Sequence, residues 1–252
     1  MQRATSLDIP EGDTIMAING VASAAPVPFP RSSDDFYHAT KINDASFARV
    51  ACQNWDLRIT DVMQSTVFGA GTDRTLADER LHTRFDYDAI LGTVLNRFVA
   101  QAVGGLPLTV YGNGEQSTGI MTLEDTIAVL VSLAYSPGPP GTHRIVNSNP
   151  GSRTINELAG LVQGEAAGVG LAVRIDRSVH NPRFEGGVSY LCRVDTGYMD
   201  SVLMPMPLGP AIARSIGILL PHRGGIDGKS NEPTHTWLGG KAPRVRTLRQ
   251  VG

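Results

Sequence analysis

Tyr37 and Lys41 stand four residues apart at the start of a segment whose apolar residues recur at helical spacing, so both side chains leave one helix face about a turn apart. A phenol beside an ammonium is a general-base pair: the positive charge favours the phenolate, which can then take a proton from a substrate hydroxyl near neutral pH. The spacing alone is equally that of a surface tyrosine and a surface lysine. His38, one position on, points about 100° away and reads as structural.

The elements that would hold this pair follow an α/β pattern. Ile42, Ala45, Ala48 and Cys52 give the first helix its apolar stripe after the candidate caps Ser33 and Asp34. A strand is expected over residues 57–62, then a polar loop from Gly69 and Gly71 to about Asp88. A helix follows at 89–103, closed by Gly104 and Gly105, and a short strand in "PLTVYGNGE". Thr122 and Asp125 resemble a capping box ahead of an apolar helix, and Thr154 with Glu157 forms the standard one. Strands are expected at 143–147 and 171–175, and a helix near 208–219. Upstream of Tyr37, three prolines in five positions (Pro26, Pro28, Pro30) mark an extended loop, with a small hairpin about Asn19-Gly20. The stretch "PHRGGIDGKSNEP" and the last 15 residues read as an extended, basic tail.

Composition narrows the classes. The 252 residues carry 22 Lys+Arg against 24 Asp+Glu and are 41% hydrophobic, a globular balance with no whole-chain footprint for nucleic acid or an anionic membrane. The closing run Lys241, Arg244, Arg246 and Arg249 lacks the interleaved aromatics of a nucleic-acid tail, and Trp237 reads as a packing anchor. The two cysteines, Cys52 and Cys192, make no disulfide framework and the six histidines show no metal-ligand spacing, so no metal is expected and a reducing, cytosol-like compartment fits. No run of about 18 apolar residues is present, so no membrane span is expected.

Longer blocks add a resemblance. "SSDDFYHATKINDASFARVACQNWDLRITDVMQSTVFGAGTD" resembles the catalytic segment of the extended short-chain dehydrogenase/reductase family, the NAD-dependent epimerases and dehydratases of nucleotide sugars. "FDYDAILGTVLNRFVAQAVGGLPLTVYGNGEQSTG", "NELAGLV", "HNPRFE" and "PTHTWLGGKAPRVRT" are similar to its UDP-sulfoquinovose synthase branch. The resemblance runs from about Leu7 to the end. It implies the C-terminal part of an NAD(P)-binding Rossmann-like fold with a smaller substrate-binding domain. On that reading residues 1–88 carry the Tyr37 helix and its following strand, 89–225 form mainly the nucleotide-sugar domain with a returning Rossmann strand near 143–147, and 226–252 form the tail.

What the resemblance implies for the site is assigned residue by residue. Tyr37 would remove the sugar 4-OH proton while hydride passes to NAD. Lys41 would assist it and bind the nicotinamide ribose. Val67 would approach the nicotinamide through its backbone and Gln64 would face the sugar. Thr93 and Arg97 fall in the nucleotide-sugar pocket, and Arg183 of "NPR" would grip the diphosphate with its planar fork of donors. The substrate would be a UDP-sugar and the added nucleophile sulfite, by way of a 4-keto and then a 4-keto-5-ene sugar. A homodimer, or a second polypeptide supplying the N-terminal Rossmann part, would be the partner.

The sequence departs from this pattern in three ways. The strand, glycine-rich turn and helix that cradle a dinucleotide pyrophosphate are not found before Tyr37, and the glycines at 112, 114 and 119 follow the wrong element. Thr118 stands where the resemblance expects an arginine, and Met63 and Phe68 stand where it expects Asn and Tyr. The catalytic Thr or Ser expected upstream of the Pro-rich insert has no match in "MQRATSLDIP". Tight NAD binding by this chain alone is therefore not expected, and a noncatalytic remnant, an interaction protein, or an epimerase/dehydratase of other specificity stands as the alternative.

Overall fold

The computed structural model describes residues 36–82, 84–88, 92–179 and 196–229, with the backbone of 12–14, 17–18, 21–22 and 27–29. Two compact units divide the chain: residues 1–61 with 137–145, and residues 62–136 with 146–252.

In the first unit, β1 (Gly12–Thr14) pairs antiparallel with β4 (Val27–Phe29), and β2 (Ala17–Ile18) with β3 (Val21–Ala22), the hairpin expected about Asn19-Gly20. Ser33 and Asp34, the expected caps of the first helix, lie outside the described residues. That helix, α1 (Phe36–Trp55), turns a single narrow stripe inward: Ile42, Ala45 and Ala48 are half-buried and Cys52 is buried. Phe36, Phe47, Val50 and Trp55 stay exposed. The first half of β5 (Ile59–Gln64) is joined to the start of β9 (His143–Ser148) by side chains as well as backbone. Ile59 N donates to Thr142 O (3.4 Å), Arg144 Nε donates to Thr60 Oγ1 (3.2 Å), and His143 Nε2 meets Asp61 Oδ2 at 2.8 Å.

The second unit is built on parallel pairs flanked by helices. β6 (Thr66–Phe68) runs parallel to β8 (Ser117–Thr122), whose other edge takes the antiparallel β10 (Ser152–Thr154). β7 (Leu108–Tyr111) runs parallel to β11 (Ile175–Val179). Between β6 and β7, the expected loop contains a one-turn helix, α2 (Asp73–Leu76), and a 3-10 turn at Glu79–Leu81. Thr72 and Thr75 cap the first reciprocally. Asp78 caps the second and is held below the usual carboxylate range by the Arg80 side chain and then the Arg80 backbone N–H.

The long α3 (Val94–Gly104) is buried on nearly every side, the mark of a core helix. Gly105 ends it in the left-handed conformation at φ 75°, which only glycine adopts without strain. Leu95, Phe98, Val99 and Val103 pack with Leu158 and Val162 of α5 (Ile155–Gly168) and with Ile212 and Ile216 of α7 (Leu208–Leu219). A smaller cluster joins Val129 and Leu133 of α4 (Leu123–Tyr135) to Met121, Val146 and Met199 of α6 (Gly197–Val202).

Three local expectations change. Asp125 does not close a capping box: Thr122 accepts from Asp125 N (3.1 Å), but the Asp125 carboxylate, one methylene shorter than Glu, accepts instead from Met206 N (2.9 Å). The strand expected at 171–175 begins at Ile175, because Leu171 is spent closing α5 through its bond to Ala166 O. Residues 220–225 form a 3-10 turn rather than extended tail, and Ile226 then packs on the core. The rest of the expected tail, 230–252, lies outside the described residues.

Candidate functional site

On α1, Lys41 Nζ lies 5.6 Å from the centre of the Tyr37 ring, and the Tyr37 ring meets His38 edge-on at 5.3 Å between centroids. Helical spacing produces the first contact; the ammonium sits one turn along on the same side. Lys41 Nζ also pairs with Asp44 Oδ2 at 3.6 Å. Tyr37 is 67% exposed, so its hydroxyl is reachable by a substrate, and the Thr40 hydroxyl is turned away from it onto Tyr37 O (2.7 Å).

The second unit holds the other predicted residues that are described. Gln64 ends β5 with an exposed side chain, and Val67, half-buried in β6, stands opposite Met121 of β8. Phe68, in place of the expected tyrosine, is fully buried in the main core, where a phenol hydroxyl would need a buried partner. Met63 is 37% exposed.

Thr93 and Arg97 meet in the first turn of α3. Thr93 is its N-cap, its hydroxyl accepting from Asn96 N (3.4 Å), while its carbonyl accepts from Arg97 N (2.9 Å). Arg97 is 4% exposed; its guanidinium lies 4.1 Å from the Tyr111 ring centre, 5.5 Å from that of Phe98, and donates to Thr109 O (3.2 Å). One turn on, Gln101 clamps the same strand residue twice: its Oε1 accepts from Thr109 N (3.1 Å) and its Nε2 donates to Thr109 Oγ1 (2.8 Å). The start of α3 is thereby fastened to β7. Sequence reading missed Tyr111 as the platform under Arg97, since fourteen residues separate them and no periodicity links them. Arg183 lies outside the described residues.

Toward NAD, the described residues hold a phenol and an ammonium side by side on α1, Tyr37 and Lys41, polar groups of the kind a ribose hydroxyl can meet. Gly69 and Gly71 follow β6 but open only the four-residue α2, and Arg74 stands where a third glycine would be needed, so this turn is no pyrophosphate cradle. Among the described residues no group of His, Cys, Asp and Glu could hold a metal ion, and no helix is long and apolar enough to cross a membrane.

The fold is shared with sugar-nucleotide enzymes. UDP-glucose 4-epimerase of Thermotoga maritima superposes with a TM-score of 0.58 at 15% identity, covering 79% of this chain and 56% of that one. UDP-glucuronic acid 4-epimerase of Bacillus cereus, solved with UDP-glucuronic acid and NAD, gives 0.57 at 16% identity over 84% and 59%. These define the class as the Rossmann-like α/β fold of the NAD-dependent epimerases and dehydratases.

The sequence relatives are narrower. The chloroplastic UDP-sulfoquinovose synthase of Spinacia oleracea is 34% identical over 233 residues, 92% of this chain and 48% of that protein. UDP-sulfoquinovose synthase of Sulfolobus acidocaldarius is 38% identical over 186 residues, 73% and 46%. No protein-family model matches the chain. The chain is a homologue of the UDP-sulfoquinovose synthases within the extended short-chain dehydrogenase/reductase group, and it spans about half the length of these relatives.

Proposed function

We propose that the chain forms the sugar-nucleotide side of an NAD-dependent enzyme acting on a UDP-sugar, with UDP-glucose and sulfite as reactants and UDP-sulfoquinovose and water, the latter from the sugar 6-hydroxyl, as products. The observation that carries this reading is the Tyr37–Lys41 pair, standing on one turn of an exposed helix face within a chain 34% identical to a UDP-sulfoquinovose synthase over 92% of its length.

In the proposed chemistry, Lys41 favours the Tyr37 phenolate from its place beside the ring, and that phenolate takes the proton of the sugar 4-OH and becomes the neutral phenol. NAD, when bound, supplies the acceptor for the C4 hydride. Gln64 faces the sugar and the Val67 backbone faces the nicotinamide. Thr93 and Arg97 shape the nucleotide pocket, Arg97 from behind, since its guanidinium is committed to Tyr111 and Thr109. Arg183 serves the diphosphate. A cytosol-like compartment, and a homodimer or a second polypeptide contributing the dinucleotide cradle, belong to the same proposal.

Thr118 favours a second reading, a sugar-nucleotide enzyme of other specificity or a noncatalytic binding protein, because a neutral side chain there changes the pocket's charge. Calorimetric titration with UDP-glucose tests the substrate class. Saturable binding supports the reading, and no heat up to millimolar ligand rejects it.

A further inference from the structure

Among the described residues β11 pairs with β7 alone, which leaves its other edge open. Arg174 O accepts from Leu108 N (2.8 Å) and so faces β7, and by strand alternation Ile175 turns its N–H and C=O to the opposite edge. On that edge Gln163 Nε2 of α5 donates to Val173 O (2.8 Å), as the backbone N–H of an added strand would. The edge opens on a groove of about 640 Å³ lined by every residue from Leu171 to Ile175, by Arg177, and by Gln163 and Ala167 of α5. Successive strand residues alternate between faces, so a groove touching all of them runs along the edge rather than over one face. Its floor is apolar, with Leu171, Val173 and Ile175 half-buried against the main core. Its rim is cationic, since Arg174 and Arg177 are both exposed. Arg174 makes no hydrogen bond or ion pair with another described residue, and Arg177 donates from Nε to the neutral Asn156 Oδ1 (3.3 Å). Asp176, the acid between them, commits its carboxylate to the Ser178 N–H and hydroxyl (2.9 and 2.6 Å).

We infer that this edge is a docking groove for an extended acidic segment of a partner protein, added as a further strand beside β11. Charge selects the occupant. A second copy of the same edge would set arginine against arginine, the like-charge pattern that keeps sheet edges apart, whereas a segment alternating acidic and apolar residues suits both rim and floor. Its main chain takes the edge groups of Ile175 and competes with Gln163 for Val173 O, and its apolar side chains lie beside Val173 and Ile175. Its carboxylates meet the two guanidinium groups in charge-assisted bonds.

The test uses the full 252-residue chain and a short fluorescein-labelled peptide in which glutamate and valine alternate, with fluorescence anisotropy reading the affinity. A matching peptide with lysine for glutamate is the control. The glutamate peptide should bind at least about tenfold more tightly than the lysine one, and Arg174→Glu with Arg177→Glu should reverse that order, a reversal that also shows the variant groove to be folded. On binding, the Ile175 amide should gain protection from hydrogen exchange while that of Asp176, which already faces β7, stays unchanged. Equal affinity for the two peptides, no binding of the glutamate peptide up to millimolar concentration, an order that the double reversal leaves in place, or binding without protection at Ile175 would overturn the inference.

Discussion

Lys41 holds its ammonium 5.6 Å from the Tyr37 ring centre while the same ammonium reaches Asp44 at 3.6 Å, so one lysine is shared between a candidate base and a carboxylate a turn further on. Both Lys41 and Asp44 are more than half exposed, and an exposed pair of this kind stabilises a helix by no more than about 0.5 kcal/mol. Asp44→Ala should leave the thermal midpoint within error and retain turnover, whereas Lys41→Ala should lower turnover about tenfold or more without unfolding α1. Circular dichroism melts alongside product assays separate the two; equal turnover in Lys41→Ala and the unaltered chain would detach the lysine from the chemistry.

Arg97 and Tyr111 are predicted to act as one unit. With the guanidinium 4.1 Å from the ring centre and 4% exposed, their coupling should be about 1–2 kcal/mol in a double-mutant cycle of Arg97→Met and Tyr111→Leu followed by urea unfolding. Additive losses would show that the stacking carries no energy of its own.

The capping box of α5 is a third point of attack. Thr154 N donates to Glu157 Oε2 (2.8 Å) and Glu157 N donates to Thr154 Oγ1 (3.1 Å). Thr154→Ala should cost about 1 kcal/mol in urea unfolding, and Thr154→Ser should restore nearly all of it. A loss in Thr154→Ala that serine fails to recover would point to the lost methyl rather than the cap.

This box was legible in the sequence because both partners lie within one turn and the rule is local. So were the Tyr37–Lys41 spacing, the stripe through Ile42, Ala45, Ala48 and Cys52, and the α7 helix over Leu208–Leu219. What escaped was set by contacts between distant segments. Asp125 has the spacing of a cap but serves Met206, 81 residues on. By resemblance Arg97 falls in the nucleotide-sugar pocket region, and Tyr111 and Thr109 across the α3–β7 turn take its guanidinium. The strand expected at 171–175 was displaced for a similar reason: its first residues finish a helix before they can pair.

The most direct measurement is chromatographic detection of UDP-sulfoquinovose from UDP-glucose, sulfite and NAD in the presence of a polypeptide supplying the dinucleotide cradle, run in parallel with the unaltered chain and Tyr37→Phe. Removing one hydroxyl from an exposed ring leaves the fold intact and takes away the proposed proton acceptor, so product should form with the unaltered chain and fall about 10²–10⁴-fold in the variant. Equal product from both, or none from the unaltered chain, would contradict the account.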